Sequence, residues 1–342
     1  MRVVSLLPSA TEILCLIGGE GLLVGRSHEC DFPPSIRSRP ALTSSTLASA
    51  AAHANGPGAS VGGAGGGGGV GGVDSAAIDR EVREALSAGR PLYHVDEAML
   101  RDLRPDVILT QDLCSVCSID LESVRRVAES LPSRPRIVSL NPETFEGVLD
   151  DVLTVGRAVG LEDAATTAVV RLRERMFEAG EYVNPFADGP VVVFLEWLDP
   201  LFIGGHWTPQ LIERAGGRHP LNATAARETA GAAIGPQMAE RVAGKSIRVP
   251  REAVEAVGAE AIVICPCGLT LDQTREAYRR LASEAWFARL PAVRHGRVAL
   301  VDGNQYFNRP GPRLVDAFEF LVGWLNDRPE RIPTGFAWER GR

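Results

Sequence analysis

No apolar run in the 342 residues approaches the roughly 20 residues that cross a bilayer. A membrane span is therefore excluded from the reading. No block of Lys or Arg is present either, and the net charge is -7. A nucleic-acid or anionic-membrane partner needs a basic patch, so neither is expected. No G-x-x-x-x-G-K-[ST] loop, H-E-x-x-H helix or Ser-His-Asp order points to a particular reaction. Residues 1–7 carry one positive charge and too short an apolar stretch for a signal h-region. They read as a first strand, and the expected location is cytoplasmic. A longer N-terminus would change that to exported.

What is present suits a globular chain long enough for two domains, with 45% hydrophobic and 23% charged residues. Six cysteines stand at 15, 30, 114, 117, 265 and 267. In a cytoplasmic protein these thiols stay reduced, and closely spaced pairs then suggest metal or redox chemistry.

The organising pattern is a strand followed by a loop that bears Cys, His or a carboxylate. Val107-Ile-Leu-Thr110 is a short β-branched run after the turn signal Arg104-Pro105-Asp106. Cys114 and Cys117 follow it as C-x-x-C, and a helix pattern starts near Asp120. In open α/β sheets, ligands bind just past the carboxyl ends of strands. The same arrangement recurs after residues 3–7, 22–25, 191–195, 261–264 and 297–301. Ser9-Ala-Thr-Glu12 matches a capping box opening the first helix, whose N-terminus offers free N–H groups to an anion. Ser27-His28-Glu29-Cys30-Asp31 leaves the second strand. Glu196-Trp197 begins a loop that reaches His206-Trp207, with Thr208-Pro209 as N-cap and N1. Cys265-Pro266-Cys267-Gly268 follows a fourth run, and Tyr306-Phe307-Asn308-Arg309 lies beyond the last.

Residues 44–74 are dominated by Ser, Ala and Gly, with Gly65 to Gly69 unbroken. Such a segment buries too little apolar surface to offset its ordering entropy, so a flexible insertion is expected. It is no phosphate loop, because no strand leads in and no G-K-[ST] follows. Residues 142–182 show helical patterning only. The expected organisation is an α/β lobe over 1–141, a helical connector over 142–184 and a second α/β lobe over 185–342.

Several motifs in order add a resemblance. They are Arg2-Val-Val-Ser-Leu-Leu-Pro-Ser-Ala-Thr-Glu12, Leu103-Arg-Pro-Asp-Val-Ile108 and Leu140-Asn-Pro-Glu-Thr144. Near the end come Pro291-Ala-Val-Arg-His-Gly-Arg-Val298 and Arg309-Pro-Gly-Pro-Arg313. The chain resembles the substrate-binding proteins of ABC importers for cobalamin and ferric siderophores over nearly its whole length. The resemblance implies a class III periplasmic-binding-protein-like fold, with two Rossmann-like lobes joined by a rigid helix. It implies a small-molecule ligand held in the inter-lobe cleft, no catalysis, and an ABC permease as partner if the chain is exported. The family is normally exported, and this chain departs from it in residues 1–7 and in its thiol- and imidazole-rich loops. Those loops resemble a branch identified as cobalamin-binding.

The expected ligand contacts are Ser9, His28, Glu29, Glu196, Trp197, His206, Trp207, Tyr306, Phe307 and Arg309. The aromatics suit the wall of a pocket for a large planar ligand. Their plain alternative is ordinary core. A lone histidine such as His28 or His206 is more often a hydrogen-bonding residue than a metal ligand. Two metal sets are open, for zinc or an iron–sulfur cluster. One joins Cys114, Cys117, Cys265 and Cys267 across the cleft, and the other joins His28, Cys30, Cys114 and Cys117. The cysteines are otherwise a redox pair or small buried thiols. The first function expected is binding of cobalamin, a related corrinoid or another metal chelate. The alternative is a metal- or Fe–S-dependent enzyme or thiol oxidoreductase on the same scaffold.

Overall fold

The structure, a computed structural model, describes residues 1–47, 74–112, 121–227 and 241–342. The Gly-rich run and the C-x-x-C motif, with Cys114 and Cys117, lie outside the described residues. The chain divides into two compact units, Met1–Asn141 with Asp150–Val169, and Pro142–Leu149 with Val170–Arg342.

The first unit is built from β1 (Val3–Ser5), α1 (Pro8–Leu16), β2 (Leu23–Arg26), β3 (Thr43–Ser45), α2 (Ser75–Ser87), β4 (Tyr93–Val95), α3 (Glu97–Leu103), β5 (Val107–Thr110), α4 (Leu121–Ser130) and β6 (Arg136–Ser139). Its sheet runs β2-β1-β5-β6, all parallel. The two central strands are buried at every residue, as a parallel sheet covered by helices on both faces requires. The cluster beneath one face joins Val4, Ile108, Leu100, Val124 and Val127. β3 pairs with β4 in a separate antiparallel ladder. The strand at residues 93–95 thus finds its partner in 43–45, at the border of the expected insertion.

Two helices follow, α5 (Phe145–Val159) and α6 (Glu162–Gly180). Each is shared between the units, since the division falls inside both. Thr144 Oγ1 accepts from Gly147 N at 3.0 Å and so caps α5. The helix therefore starts after Thr144 and not at Pro142.

The second unit continues with β7 (Val192–Leu198), β8 (Leu201–Ile203), α7 (Trp207–Arg214), β9 (Ala225–Ala226), β10 (Arg241–Val242), β11 (Ile247–Arg248), α8 (Arg251–Ala256), β12 (Ala261–Ile264), α9 (Leu271–Ala282), α10 (Ala285–Ala288), α11 (Pro291–Arg294), β13 (Val298–Val301), α12 (Leu314–Leu325) and β14 (Trp338–Arg340). Its sheet order is β11-β8-β7-β12-β13-β14. The middle strands β7, β12 and β13 are parallel, and the outer ones pair antiparallel.

Three local expectations are corrected. Pro8 takes the first helical position of α1, so Ser9 is already helical and cannot cap it. α7 starts at Trp207 with His206 as N-cap, two residues ahead of the expected Thr208 and Pro209. β7 runs on to Leu198 and turns through a cis Asp199–Pro200 bond into β8, so Glu196 and Trp197 belong to a strand. α9 starts at Leu271, where Thr270 and Gln273 form a reciprocal capping box.

Asp151 of α5 is a half-buried acid. Its Oδ2 has no hydrogen-bond partner among the described residues. Burial, with the charge of Asp150, pushes its carboxyl up from 3.8 to about 7. A carboxyl raised on folding contributes stability below its unfolded value, and that contribution is lost as pH rises through the folded value. Chemical denaturation from pH 4 to 8 should show the parent losing roughly 2–4 kcal/mol more than Asp151→Asn over that range. Parallel profiles for the two proteins would place the ionised carboxylate in water.

Candidate functional site

The strand-exit face of the first unit is organised by Arg26, the last residue of β2. Its guanidinium donates to the carbonyls of Ser27 (3.0 Å), Cys30 (3.0 Å), Arg37 (3.1 Å) and Arg39 (3.1 Å). Carbonyls of the loop are thereby satisfied, which ties residues 27–30 to residues 37–39. Within that loop, Thr43 Oγ1 accepts from His28 N at 2.9 Å and donates to Ser27 Oγ at 3.1 Å. It also lies 2.6 Å from His28 Nδ1. With the Thr43 hydroxyl hydrogen on Ser27, this contact is completed by the tautomer protonated at Nδ1. In that tautomer the lone pair is on Nε2, which bonds to no described residue. Burial, then the charge of Arg26, lowers the imidazole's pKa and keeps the ring neutral near pH 7. A neutral imidazole with its other nitrogen anchored is the state that ligates a metal centre.

The residues around His28 are ordered as well. Tyr93 lies 5.9 Å from the His28 ring and its hydroxyl donates to Glu29 Oε1 at 3.4 Å. Cys30 is buried, with Sγ 3.1 Å from Thr11 Oγ1. Ser9 is buried in the first turn of α1, and its Oγ makes no hydrogen bond to a described residue. Cys15 is core-facing in part, its thiol pushed up to about 12 by burial and by Glu20 and Glu12.

In the second unit the corresponding face lies beyond β7, β8, β12 and β13. His206 adopts φ 55°, ψ -120° as the N-cap of α7. Positive φ at a non-glycine residue costs of order 1–3 kcal/mol and persists only where neighbours enforce it. The enforcing contacts are visible. His206 N donates to Gly244 O at 2.9 Å, and Asn222 Nδ2 donates to Gly204 O (3.0 Å) and Lys245 O (3.2 Å). Ser246 Oγ donates to Glu196 Oε2 at 2.7 Å. The strap 244–246 is thereby pinned across the start of α7. The His206 ring stacks on Trp207 at 5.5 Å, and Trp207 Nε1 donates to Phe307 O at 2.7 Å. Burial, then Lys245, lowers the His206 pKa against an opposing pull from Glu143. Glu143 itself pairs with Arg227 at 3.3 Å.

Other candidates take supporting positions. Phe307 sits in an aromatic core with Phe194 and Phe320. Tyr306 is buried, stacked on Phe336 at 4.0 Å, with the Arg313 guanidinium 5.2 Å from its ring centre. Arg309 is buried too. Trp197 donates locally to Asp199 O at 3.1 Å. Cys265 is fully buried, and burial with the charges of Asp302 and Glu196 drives its thiol well above the ordinary value, against a hydrogen bond from Asn308. Such a thiol stays protonated. Cys267 is partly exposed. Among the described residues, no group of three or more His, Cys, Asp or Glu side chains is placed to hold a metal ion. Neither expected metal set can be assembled from them alone, since both use Cys114 and Cys117.

The structure thus groups His28, Glu29 and Cys30 on one unit, and Glu196, His206 and Trp207 on the other. Sequence reasoning overlooked Arg26, Thr43, Asn222, Lys245 and Ser246, which hold these loops from distant positions.

Residues 97–304 match the model of the periplasmic binding protein family, and the chain belongs to that family. Solved structures agree on the fold. A periplasmic heme-binding protein from Pseudomonas aeruginosa superposes with a TM-score of 0.64 at 18% identity, covering 95% of this chain and 92% of that one. The periplasmic heme-binding protein RhuT from Roseiflexus sp. RS-1 gives 0.63 at 16%, covering 96% and 98%. The vitamin B12-binding protein BtuF of Vibrio cholerae gives 0.60 at 16%, covering 96% and 98%. At these identities the likeness is one of fold. A comparison with curated proteins gave no match. The two Rossmann-like α/β lobes of class III binding proteins expected from the sequence are those of this family.

Three outcomes follow from the geometry. Histidine resonances should show His28 and His206 titrating below the ordinary 6.5. Their contribution to stability is then present above about 6.5 and lost as pH falls through their folded values. Thr43→Val should abolish the Nδ1-protonated preference of His28 in long-range proton–nitrogen spectra, and an unchanged tautomer would contradict the donor count above. A Cβ on Gly205 would lie 2.3 Å from Ser246 N and 2.4 Å from the Lys245 carbonyl carbon. Gly205→Ala should therefore displace the strap and cost about 2–3 kcal/mol in denaturant titration. Parent-like stability would mean the strap is not held against α7.

Proposed function

We propose that this protein is the substrate-binding component of an ABC importer and that its cargo is a metal tetrapyrrole or related metal chelate. The corrinoid cobalamin, expected from the sequence, and heme, bound by several structural relatives, are the leading cargoes. The reading rests on family membership, with one observation carrying the ligand class. His28 is a neutral imidazole with Nδ1–H anchored on Thr43 and its Nε2 lone pair available to an axial position of iron or cobalt. Here the metal arrives with the cargo, so no resident metal cluster is needed. The residues fit such a cargo. Glu29 and Tyr93 flank the imidazole in the first unit; the second unit carries Glu196, His206 and Trp207 as polar and aromatic groups of its own. We take the protein to work outside the cytoplasm with a permease partner, as the family's name implies, in place of the cytoplasmic location read from residues 1–7. The alternative of a zinc, Fe–S or thiol-dependent enzyme is not favoured by Cys265, whose thiol is buried and protonated.

The test is titration of purified protein with hemin, cyanocobalamin and a ferric hydroxamate siderophore, followed by absorption and calorimetry. A saturable one-to-one spectral change with hemin or cyanocobalamin is expected. His28→Ala should weaken it about tenfold or more, with loss of the nitrogen-ligation band. Absence of binding to all three would overturn the proposal. Tight siderophore binding alone, indifferent to His28, would overturn the tetrapyrrole assignment.

A further inference from the structure

Of the chain's 36 Lys and Arg residues, only Lys245 is lysine. Everywhere else the chain uses guanidinium, and most of those groups with a structural role are paired. Arg175 bonds Asp316 and Glu319, Arg214 bonds Glu146, Arg227 bonds Glu143, and Arg275 bonds Glu339 and Asp272. Lys245 differs in chemistry and in setting. It lies on the strap between β10 and β11, next to His206. Its side chain is exposed and forms no ion pair or hydrogen bond with a described residue.

What separates it from an ordinary surface lysine is the fixed backbone beneath it. The carbonyl of Lys245 is held by Asn222, the preceding carbonyl by His206 N, and the following side chain by Glu196. Gly205 has no room for a Cβ against the same peptide units. The stem therefore starts from a set point beside the aromatic pair His206–Trp207, while the ammonium is left to the solvent face. Nearby carboxylates are engaged elsewhere, Glu196 with Ser246 and Glu143 with Arg227. An unspent positive charge remains at the strand-exit loops.

We infer that Lys245 pairs with an anionic group on the periphery of the cargo, a carboxylate or phosphate, and selects anionic chelates over neutral ones of the same shape. This rests on the function proposed above. A lysine suits the task because a compact ammonium on a four-carbon stem follows an anion that is not fixed in one plane, whereas arginine's rigid fork demands a set geometry. Its neighbour His206 stays neutral beside that charge, so Lys245 supplies the cation of this group.

The unique lysine supplies its own probe. Reductive ¹³C-methylation of the full chain labels only Lys245 and the amino terminus, and the Lys245 signal is assigned by its absence in Lys245→Arg. The labelled protein is titrated with hemin, which carries two propionates, and with hemin dimethyl ester, which carries none. Unlabelled parent, Lys245→Met and Lys245→Glu are titrated in parallel for affinity. Hemin should shift the Lys245 signal, and the ester should not. The parent's preference for hemin over the ester should shrink about three- to tenfold in Lys245→Met and further in Lys245→Glu. A preference unchanged in both variants, or a Lys245 signal unmoved at saturating hemin, would overturn this inference and leave the tetrapyrrole reading standing. Parent protein that binds neither hemin nor its ester nor cyanocobalamin would overturn both.

Discussion

The central strands of both sheets are buried on both faces, and this constraint arranges everything else. β1 and β5 in the first unit, and β12 and β13 in the second, expose no residue. Their backbone groups are used in parallel ladders and their side chains in packing. Polar chemistry is thereby displaced to the loops at the carboxyl ends of the strands, where helix starts and chain reversals leave room for it. His28, His206, Cys265 and Asp302 all stand just past such an end.

Those loops then need ordering, and the two units solve this differently. In the first, one guanidinium gathers loop carbonyls, and Thr43 from a neighbouring ladder fixes the imidazole. In the second, a strap from a distant part of the chain is pressed against Gly205 and holds His206 in a left-handed conformation. Asp302 works likewise for α9, where its Oδ2 accepts from Leu271 N at 3.2 Å. Both devices use side chain to backbone hydrogen bonds.

The cysteines illustrate how burial decides chemistry. A pair spaced C-x-C at a strand exit is consistent with ligation by its residue types. Burial of Cys265 makes ionisation costly, and Asn308 donates to its carbonyl at 3.1 Å as part of a closed turn. The thiol at 265 is thus a packing residue with a polar neighbour. Gly303 supports the same turn, because a Cβ there would fall 1.8 Å from Pro266 O.

Much of the fold was legible in the residue pattern. Short β-branched runs, Gly and Pro punctuation and helical periodicity located six of the seven described strands in parallel ladders. The face bearing the candidate site followed from strand polarity alone. Errors arose where a local signal had a competitor. Pro8 displaced Ser9 as the start of α1, and β7 outran its apolar run because it pairs with β8. The antiparallel edge β14 was overlooked, since Trp338-Glu-Arg carries no alternation that a solvent-facing edge must show. Ser9, His28, Glu196, His206 and Trp207 were legible as residue types at strand ends. Only tertiary structure decided the state of each, since hydrogen bonding, burial and charge depend on Thr43, Asn222 and Lys245, which approach from elsewhere in the chain. The sequence determined where chemistry is permitted, because periodicity and strand polarity are local properties. The tertiary structure decided which groups remain available for it, because hydrogen-bond saturation and desolvation are set by neighbours far away in sequence.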